Sequence, residues 1–296
     1  MGYSTETMGL FLQMNFLGLF DDIKRVVDLG SQELHFSDRD IMSRPYREII
    51  RRTVKDLGGP ELTDEQLADL SNRGSAGNFF KYIGREYKAL DADGWFDKPF
   101  DLNLDSAHDA DRNAYCLCVN AGTTEHLMDQ NNAFRIIHEL TRPGGLMVHG
   151  LPFLGHVDHG FFNYNPNFFW ALARFNSYDV LGMWINPAGT ATLIPWSDGM
   201  GKYLNLSAEA GAGVSIWCLM KKEHDLEYCV PFQSGYETAQ HPTNLARYNY
   251  AVDGRLMSGT EVYKVMQGQE SIENVSGRVL FGELRRRIKR RLGLGS

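Results

Sequence analysis

Apolar residues recur at helical spacing over positions 10–20 (Leu10, Phe11, Met14, Phe16, Leu17, Phe20). Val26-Val27-Asp28-Leu29-Gly30 follows as a short β-branched run ending in an acid and a glycine. This predicts a helix feeding a strand that leaves a parallel sheet at its carboxyl edge. Between 44 and 57, Tyr46, Ile49, Ile50, Val54 and Leu57 keep one helical face until Gly58-Gly59-Pro60 stops it, and Thr63 three residues before Gln66 marks the capping box of a second helix. Phe79, Phe80, Tyr82 and Ile83 close a third helix before Gly84.

Beyond Gly84 the period changes. Strands are predicted at 87–91, 100–104 and 114–120, a helix at 129–140, a turn at Thr141-Arg142-Pro143-Gly144-Gly145, and a strand at 146–149. A helix at 166–175 and strands at 178–184 and 214–220 complete the series. This alternation predicts an α/β domain with a seven-stranded, mostly parallel sheet and helices on both faces. The domain is expected over 1–237, with a helical cap inserted at about 36–84. A C-terminal extension at 238–296 follows, and no internal repeat interrupts the order.

The extension ends in a basic amphipathic helix over 278–292, where Val279, Leu280, Phe281, Leu284, Ile288 and Leu292 interleave with Arg285, Arg286, Arg287, Lys289, Arg290 and Arg291. Such a helix suits an acidic membrane surface, an acidic partner, or packing on its own domain or on a second copy in a homo-oligomer. Elsewhere the chain has no broad basic stretch and its formal net charge is -7, so nucleic acid is not an expected partner and a small molecule is. With 296 residues and 43% hydrophobic content, one large core can form. The start lacks the basic and apolar pattern of a secretory signal and no apolar run reaches membrane-spanning length, so a cytoplasmic location is expected. The four cysteines read as reduced and buried, with Cys116 and Cys118 expected on one face of a strand.

Across 24–222 this order resembles the class I S-adenosylmethionine-dependent methyltransferases, with their Rossmann-like fold. Val26-Val27-Asp28-Leu29-Gly30-Ser31 resembles the family's first motif, whose loop approaches the cofactor and needs glycine where a side chain would block that approach. Asp91 stands where the family places the acid that holds the ribose hydroxyls, and Asp101-Leu102-Asn103 resembles the segment flanking adenine. Gly122-Thr123-Thr124-Glu125-His126 and Arg142-Pro143-Gly144-Gly145 resemble the motif after the fourth strand and the turn before the fifth. The segment His156 to Asn176, with its run His159-Gly160-Phe161-Phe162-Asn163-Tyr164-Asn165-Pro166, looks like a subgroup often associated with sugar or polysaccharide modification. The resemblance implies S-adenosyl-L-methionine as cofactor, held by Asp28, Gly30, Ser31, Gln32, Asp91, Asp101, Leu102, Asn120 and Gly122. The chain departs from the pattern in carrying Gln32 and Glu33 where the family prefers glycine.

Methyl transfer is an in-line displacement that requires an acceptor held close and water kept out. For a hydroxyl acceptor a general base helps, and histidine has the side-chain pKa nearest neutrality. His159 and His156, after the fifth strand, are the candidate bases, with a loop hydrogen bond as the plainer role of each. Tyr164 and His126 are assigned to substrate contact, His126 having adenine as its alternative. Glu125 and His126 are expected to begin the helix after the fourth strand, where an acid suits the dipole, in a structural or cofactor-facing rather than a catalytic role. His156, Asp158 and His159 show no further ligand in the sequence, so no metal is assigned. A small-molecule or sugar acceptor, methylated on oxygen, is the expected substrate. Two alternatives remain: a catalytically inactive binding or scaffolding protein of the same fold, motivated by Gln32, and a nicotinamide-dependent oxidoreductase, disfavoured because no Gly-x-Gly-x-x-Gly follows the first strand.

Overall fold

The computed structural model describes residues 2–34, 44–70, 75–94, 98–187, 192–197, 213–233 and 240–266. β1 (Arg25–Leu29) pairs in parallel with β2 (Glu86–Leu90) on one side and with β3 (Tyr115–Ala121) on the other. β3 pairs in parallel with β4 (Thr141–Leu154). β7 (Val214–Lys221) runs antiparallel to β4 and to β5 (Asp179–Pro187), and the short β6 (Ile194–Pro195) lies antiparallel to β5 at the edge. The seven-stranded order is β2-β1-β3-β4-β7-β5-β6. Because β7 opposes both β4 and β5, strands β1 to β5 all run one way. This is the mostly parallel Rossmann-like α/β sheet expected from the sequence. Its connections diverge on either side of β1, and the carboxyl ends of β1 and β3 form the switch point where open α/β sheets bind ligands.

One predicted strand is absent. Residues 100–104 form a turn, in which Leu104 and Asp105 donate their amides to the Asp101 carbonyl (3.0 and 2.8 Å) and Asn103 donates its amide to the Asp101 carboxylate (2.8 Å). Phe100 and Leu102 are buried as an alternating strand would bury them, but the aspartate side chain bonds its own backbone first. The seventh strand is β6 instead.

Adjacent residues of the inner strands feed opposite faces, as period two requires. On one face, Val26, Val119 and Val148 pack with α1 (Thr5–Phe16) and with α2 (Arg44–Asp56), α3 (Asp64–Asp69) and α4 (Ser75–Tyr82). The insertion expected as a cap thus contributes Ile50, Val54, Leu67, Phe79 and Phe80 to the core. Its α3 begins with the expected capping box, Gln66 N donating to Thr63 Oγ1 (3.2 Å) and Thr63 N to Gln66 Oε1 (2.9 Å). On the other face, Val27, Cys118 and Met147 pack with α5 (Gln130–Leu140) and α6 (Pro166–Asn176). Cys116 and Cys118 do not share a face: the register shifts between Tyr115 and Leu117, so Cys116 joins the first cluster and Cys118 the second. All four cysteines are buried and free.

The extension is described as far as Met266. The hairpin of β8 (Asn249–Val252) and β9 (Arg255–Ser258) is joined by α7 (Pro242–Leu245) before it and α8 (Gly259–Met266) after it. Tyr250 stacks on Phe175 of α6 with ring centroids 4.1 Å apart, so this segment shares a core with the sheet domain. The basic helix expected at 278–292 lies outside the described residues. Among those described, no helix is long and apolar enough to cross a membrane.

At the opposite end of the sheet from the switch point, Lys222 is buried. Its ammonium donates to Asn113 Oδ1 (2.9 Å) and to the carbonyls of His138 (2.8 Å) and Thr141 (3.0 Å), filling its three donor positions. Burial lowers its pKa to about 8.

Phe80 is fully buried, with its ring 5.3–6.1 Å from those of Tyr3, Phe11, Phe79 and Tyr87. Phe80→Ala is expected to cost about 3–5 kcal/mol, the range for an aromatic truncated in a packed core. Denaturant unfolding would show this as a lower midpoint at unchanged slope. A loss under about 1 kcal/mol, the scale of a minor surface change, would remove the insertion from the core.

Candidate functional site

The loop after β1 turns at Gly30, whose φ of +78 is left-handed and suits glycine. A Cβ there would also come within 2.7 Å of Thr123 Oγ1. Two hydrogen bonds fix the turn to β2: Gly30 N donates to the Leu90 carbonyl (2.8 Å) and Ser31 N to the Asp91 carboxylate (2.6 Å). The Gln32 amide folds back inside the loop, its Nε2 donating to the Leu29 carbonyl (2.9 Å) and to Thr123 Oγ1 (3.0 Å). Thr123 Oγ1 in turn donates to the Leu29 carbonyl (2.6 Å). Ser31 Oγ and Gln32 Oε1 are both buried and have no partner among the described residues. Buried oxygens in that state favour a ligand that donates to them.

Asp28 lies deeper, at the end of β1, and is wholly buried. The hydroxyls of Tyr3 and Tyr87 donate to its two oxygens, the second at 2.7 Å. Burial raises its pKa to about 7 in spite of these bonds. Its carboxylate therefore faces the two tyrosines, below the loop that Gly30 opens.

Asn120, at the end of β3, is also buried; its Nδ2 donates to Thr124 Oγ1 (2.9 Å) and lies 3.4 Å from His149 Nδ1. His149 sits beside it on β4, with burial lowering its pKa to about 3. Gly122, with φ of +76, donates its amide to the Gly150 carbonyl (3.0 Å) and turns the chain out of the sheet. Tyr164 is nearly closed off from solvent. Its hydroxyl is 2.6 Å from Gln130 Oε1 and 2.9 Å from Thr124 Oγ1, and its ring packs on Phe134, Phe168 and Phe169. The substrate contact expected of Tyr164 would therefore have to reach a side chain packed by these neighbours.

The next residues gather the histidines. Glu125 and His126 belong to a single turn of 3-10 helix, Thr124–His126, while α5 starts only at Gln130, so no helix dipole acts on Glu125. The Glu125 side chain is inaccessible to solvent, and Oε1 lies 3.3 Å from His159 Nε2 and 3.7 Å from His126 Nε2. One ligand atom from each of the three falls within 4.8 Å of the others. Glu125 Oε2 is buried without a partner among the described residues. Burial raises the Glu125 pKa above the usual carboxylate value, against the pull of both histidines. The His156 ring is 5.6 Å from that of His159, its Nε2 3.4 Å from Ser215 Oγ, and burial together with His159 lowers its pKa.

The candidates thus form two groups joined through Thr123 and Thr124: Gly30, Ser31, Gln32 and Asp91 at the switch point, and His126, His156 and His159 around Glu125. Asp101 and Leu102 lie on the turn after β2, which is tied to Asp91 by Phe100 N donating to the Asp91 carbonyl (2.9 Å). Asn103 Oδ1 accepts from the amides of Met128 (2.9 Å) and Asp129 (3.1 Å), and the Leu102 carbonyl accepts from Asn132 Nδ2 (2.9 Å). Thr123 is the residue missed as part of the site, and the meeting of Glu125 with His159 was not foreseen, since the partners lie 91–94 and 34 positions away in the chain.

No protein-family model matches the sequence, and no curated protein does. Among solved structures the chain is similar to the 1,6-didemethyltoxoflavin-N1-methyltransferase of Burkholderia thailandensis, at 11% identity over 73% of this chain and 78% of that one, with a TM-score of 0.38. It is similar to an S-adenosylmethionine-dependent methyltransferase of Archaeoglobus fulgidus at 12% identity over 72% and 93% of the two chains (TM-score 0.39). A third, from Mesorhizobium loti, is 11% identical over 73% and 97% (TM-score 0.35). These scores are low, and the fold assignment rests on the strand order and register of the chain itself.

Asp28 makes stability depend on pH. Its folded pKa of about 7 stands above the unfolded carboxylate value of about 3.9, so the folded state holds the extra proton between them. That stabilisation is complete below pH ~4 and is lost as pH rises through about 7. Asp28→Asn lacks the titration, so its melting temperature relative to the parent is expected to climb between pH 5 and pH 8. A constant difference over that range would show that Asp28 stays ionised in the fold.

Proposed function

We propose that this protein is an S-adenosyl-L-methionine-dependent methyltransferase acting on a small-molecule acceptor, with oxygen as the acceptor atom. The observation that carries this reading is the switch-point loop: a left-handed glycine, two buried oxygens at Ser31 and Gln32 without partners among the described residues, and the Asp91 carboxylate meet at one sheet edge. These groups suit a cofactor rich in hydroxyl and amine donors. Ser31, Gln32 and Asp91 would hold it, with Gly30 and Gly122 giving backbone access, Asp101 and Leu102 to one side, and Asn120 supporting the loop from below. Asp28 shapes the turn through its two tyrosines. When bound, S-adenosyl-L-methionine supplies a methyl group on a positively charged sulfur.

The rest falls to the chain's own side chains. The Glu125–His126–His159 group, with His156 next to it, stands on the adjoining loops, where it can orient an acceptor and take part in removing its proton. Leu104, Met128, Val157 and Phe161 are exposed on the loops that carry the site. Apolar side chains there favour an acceptor with an apolar body, so a bare sugar is the weaker choice within the small-molecule class.

Titration with S-adenosylhomocysteine tests the cofactor assignment. Binding in the micromolar range is expected, weakened in Asp91→Ala by about 1–3 kcal/mol, the scale of a lost charge-assisted hydrogen bond. No binding by the parent would favour an inactive scaffold whose loop Gln32 fills. His159→Ala should reduce turnover of a methylated acceptor far more than affinity for S-adenosylhomocysteine; equal turnover would remove His159 from the chemistry.

A further inference from the structure

We propose that Glu125, His126 and His159 bind one divalent transition-metal ion at the mouth of this site. Two imidazoles and a carboxylate are a donor set suited to zinc, iron(II), cobalt(II) or manganese(II), whereas calcium and magnesium prefer all-oxygen surroundings. Ligand atoms about 2.0–2.1 Å from a tetrahedral ion stand about 3.3 Å from each other. The separation between Glu125 Oε1 and His159 Nε2 is 3.3 Å, and that between Glu125 Oε1 and His126 Nε2 is 3.7 Å. These two edges are within a few tenths of an ångström of that spacing, and the two imidazole nitrogens, within 4.8 Å of each other, close towards the ion when it binds.

Four further features separate this cluster from a chance surface contact. Glu125 is the anchor and is sealed from solvent, with Oε2 left unpartnered among the described residues; a cation on this carboxylate offsets the cost of burying its charge. The two loops are locked together, since the Glu125 carbonyl accepts from the amides of Phe161 (2.7 Å) and Phe162 (3.2 Å). Gly160 makes that closeness available: a Cβ on it would fall 2.9 Å from the Glu125 carbonyl oxygen, so a larger residue would push His159 away. The His126 and His159 side chains remain 45% and 30% exposed, which leaves the outer side of the ion open to water or to an acceptor. Three protein ligands with an open position are the pattern of a catalytic rather than a structural metal.

The ion's role in the reaction rests on the methyl-transfer reading. An acceptor hydroxyl bound at the open position loses its proton to solvent at lower pH, as metal-bound water does. Ion binding itself needs neither cofactor nor acceptor, so it can be measured alone.

The full, tag-free chain would be stripped with a chelator and titrated with zinc chloride by calorimetry, and with cobalt(II) chloride by visible absorption. One ion per chain is expected, with cobalt bands showing nitrogen and oxygen ligation. Glu125→Gln, His126→Asn and His159→Asn should each weaken binding at least tenfold, while His241→Asn, outside the cluster, leaves it unchanged. Thermal unfolding of the stripped proteins checks folding, and His126→Asn, at a half-exposed position, serves if the Glu125 variant does not fold. Absence of saturable binding, or binding that survives all three substitutions, would overturn the proposal. Ion binding without S-adenosylhomocysteine binding would instead overturn the methyl-transfer reading and leave the metal site standing.

Discussion

The Thr123 hydroxyl donating to the Leu29 carbonyl is the bond on which the site geometry depends. β1 and β3 pair only as far as Asp28 and Val119, and beyond that register the two chains would splay into separate loops. Thr123 closes the gap, Gln32 bonds to both partners of that contact, and Gly30 passes close enough because it carries no side chain. Everything downstream takes its position from this tie. Thr124 reaches Asn120 because Thr123 is held, and Glu125, one residue further, is placed under the loop that follows β4.

The same bond gives Gln32 two meanings. In a glycine-rich version of this loop the backbone alone would face a ligand; here a side-chain amide is spent on the protein, and its carbonyl oxygen is left buried with none of the described residues to bond. An amide folded inward purely to fill space would satisfy both ends. That acceptor, and the Ser31 hydroxyl one position before it that likewise has no partner among the described residues, argue that the loop is shaped around something that donates hydrogen bonds.

Periodicity made most of the scaffold legible. The parallel strands around Val26, Cys118 and Met147 appear where their apolar runs stand, because residues buried on both faces leave an unbroken signal. The turn at Phe100-Asp101-Leu102 was not legible, since its alternation is that of a strand and the deciding bond is the aspartate's own side chain. Nor was the shared face of Cys116 and Cys118 a safe reading, because one shift of register between Tyr115 and Leu117 reverses it. In the site, motif spacing marked Gly30, Asp91 and the histidine loop one by one. It could not show that Glu125 meets His159, because 34 residues of helix and strand separate them and the meeting is set by tertiary packing.

Two buried carboxylates, Asp28 and Glu125, sit in opposite environments. Both are removed from water and both have raised proton affinity for that reason. Asp28 is enclosed by neutral donors, two tyrosine hydroxyls that tie the N-terminal segment and β2 to the end of β1, and each of its oxygens has a partner. Nothing at that position can approach from outside. Glu125 meets imidazoles that face solvent on their other sides and keeps one oxygen unmatched among the described residues. Its burial cost is met only in part by the chain, so the remainder must be offset by what the site receives: a proton, a polarised acceptor or a cation. A wholly structural role favours the first arrangement at both positions, and the difference between them is what supports the proposed role of the loops after β3 and β4.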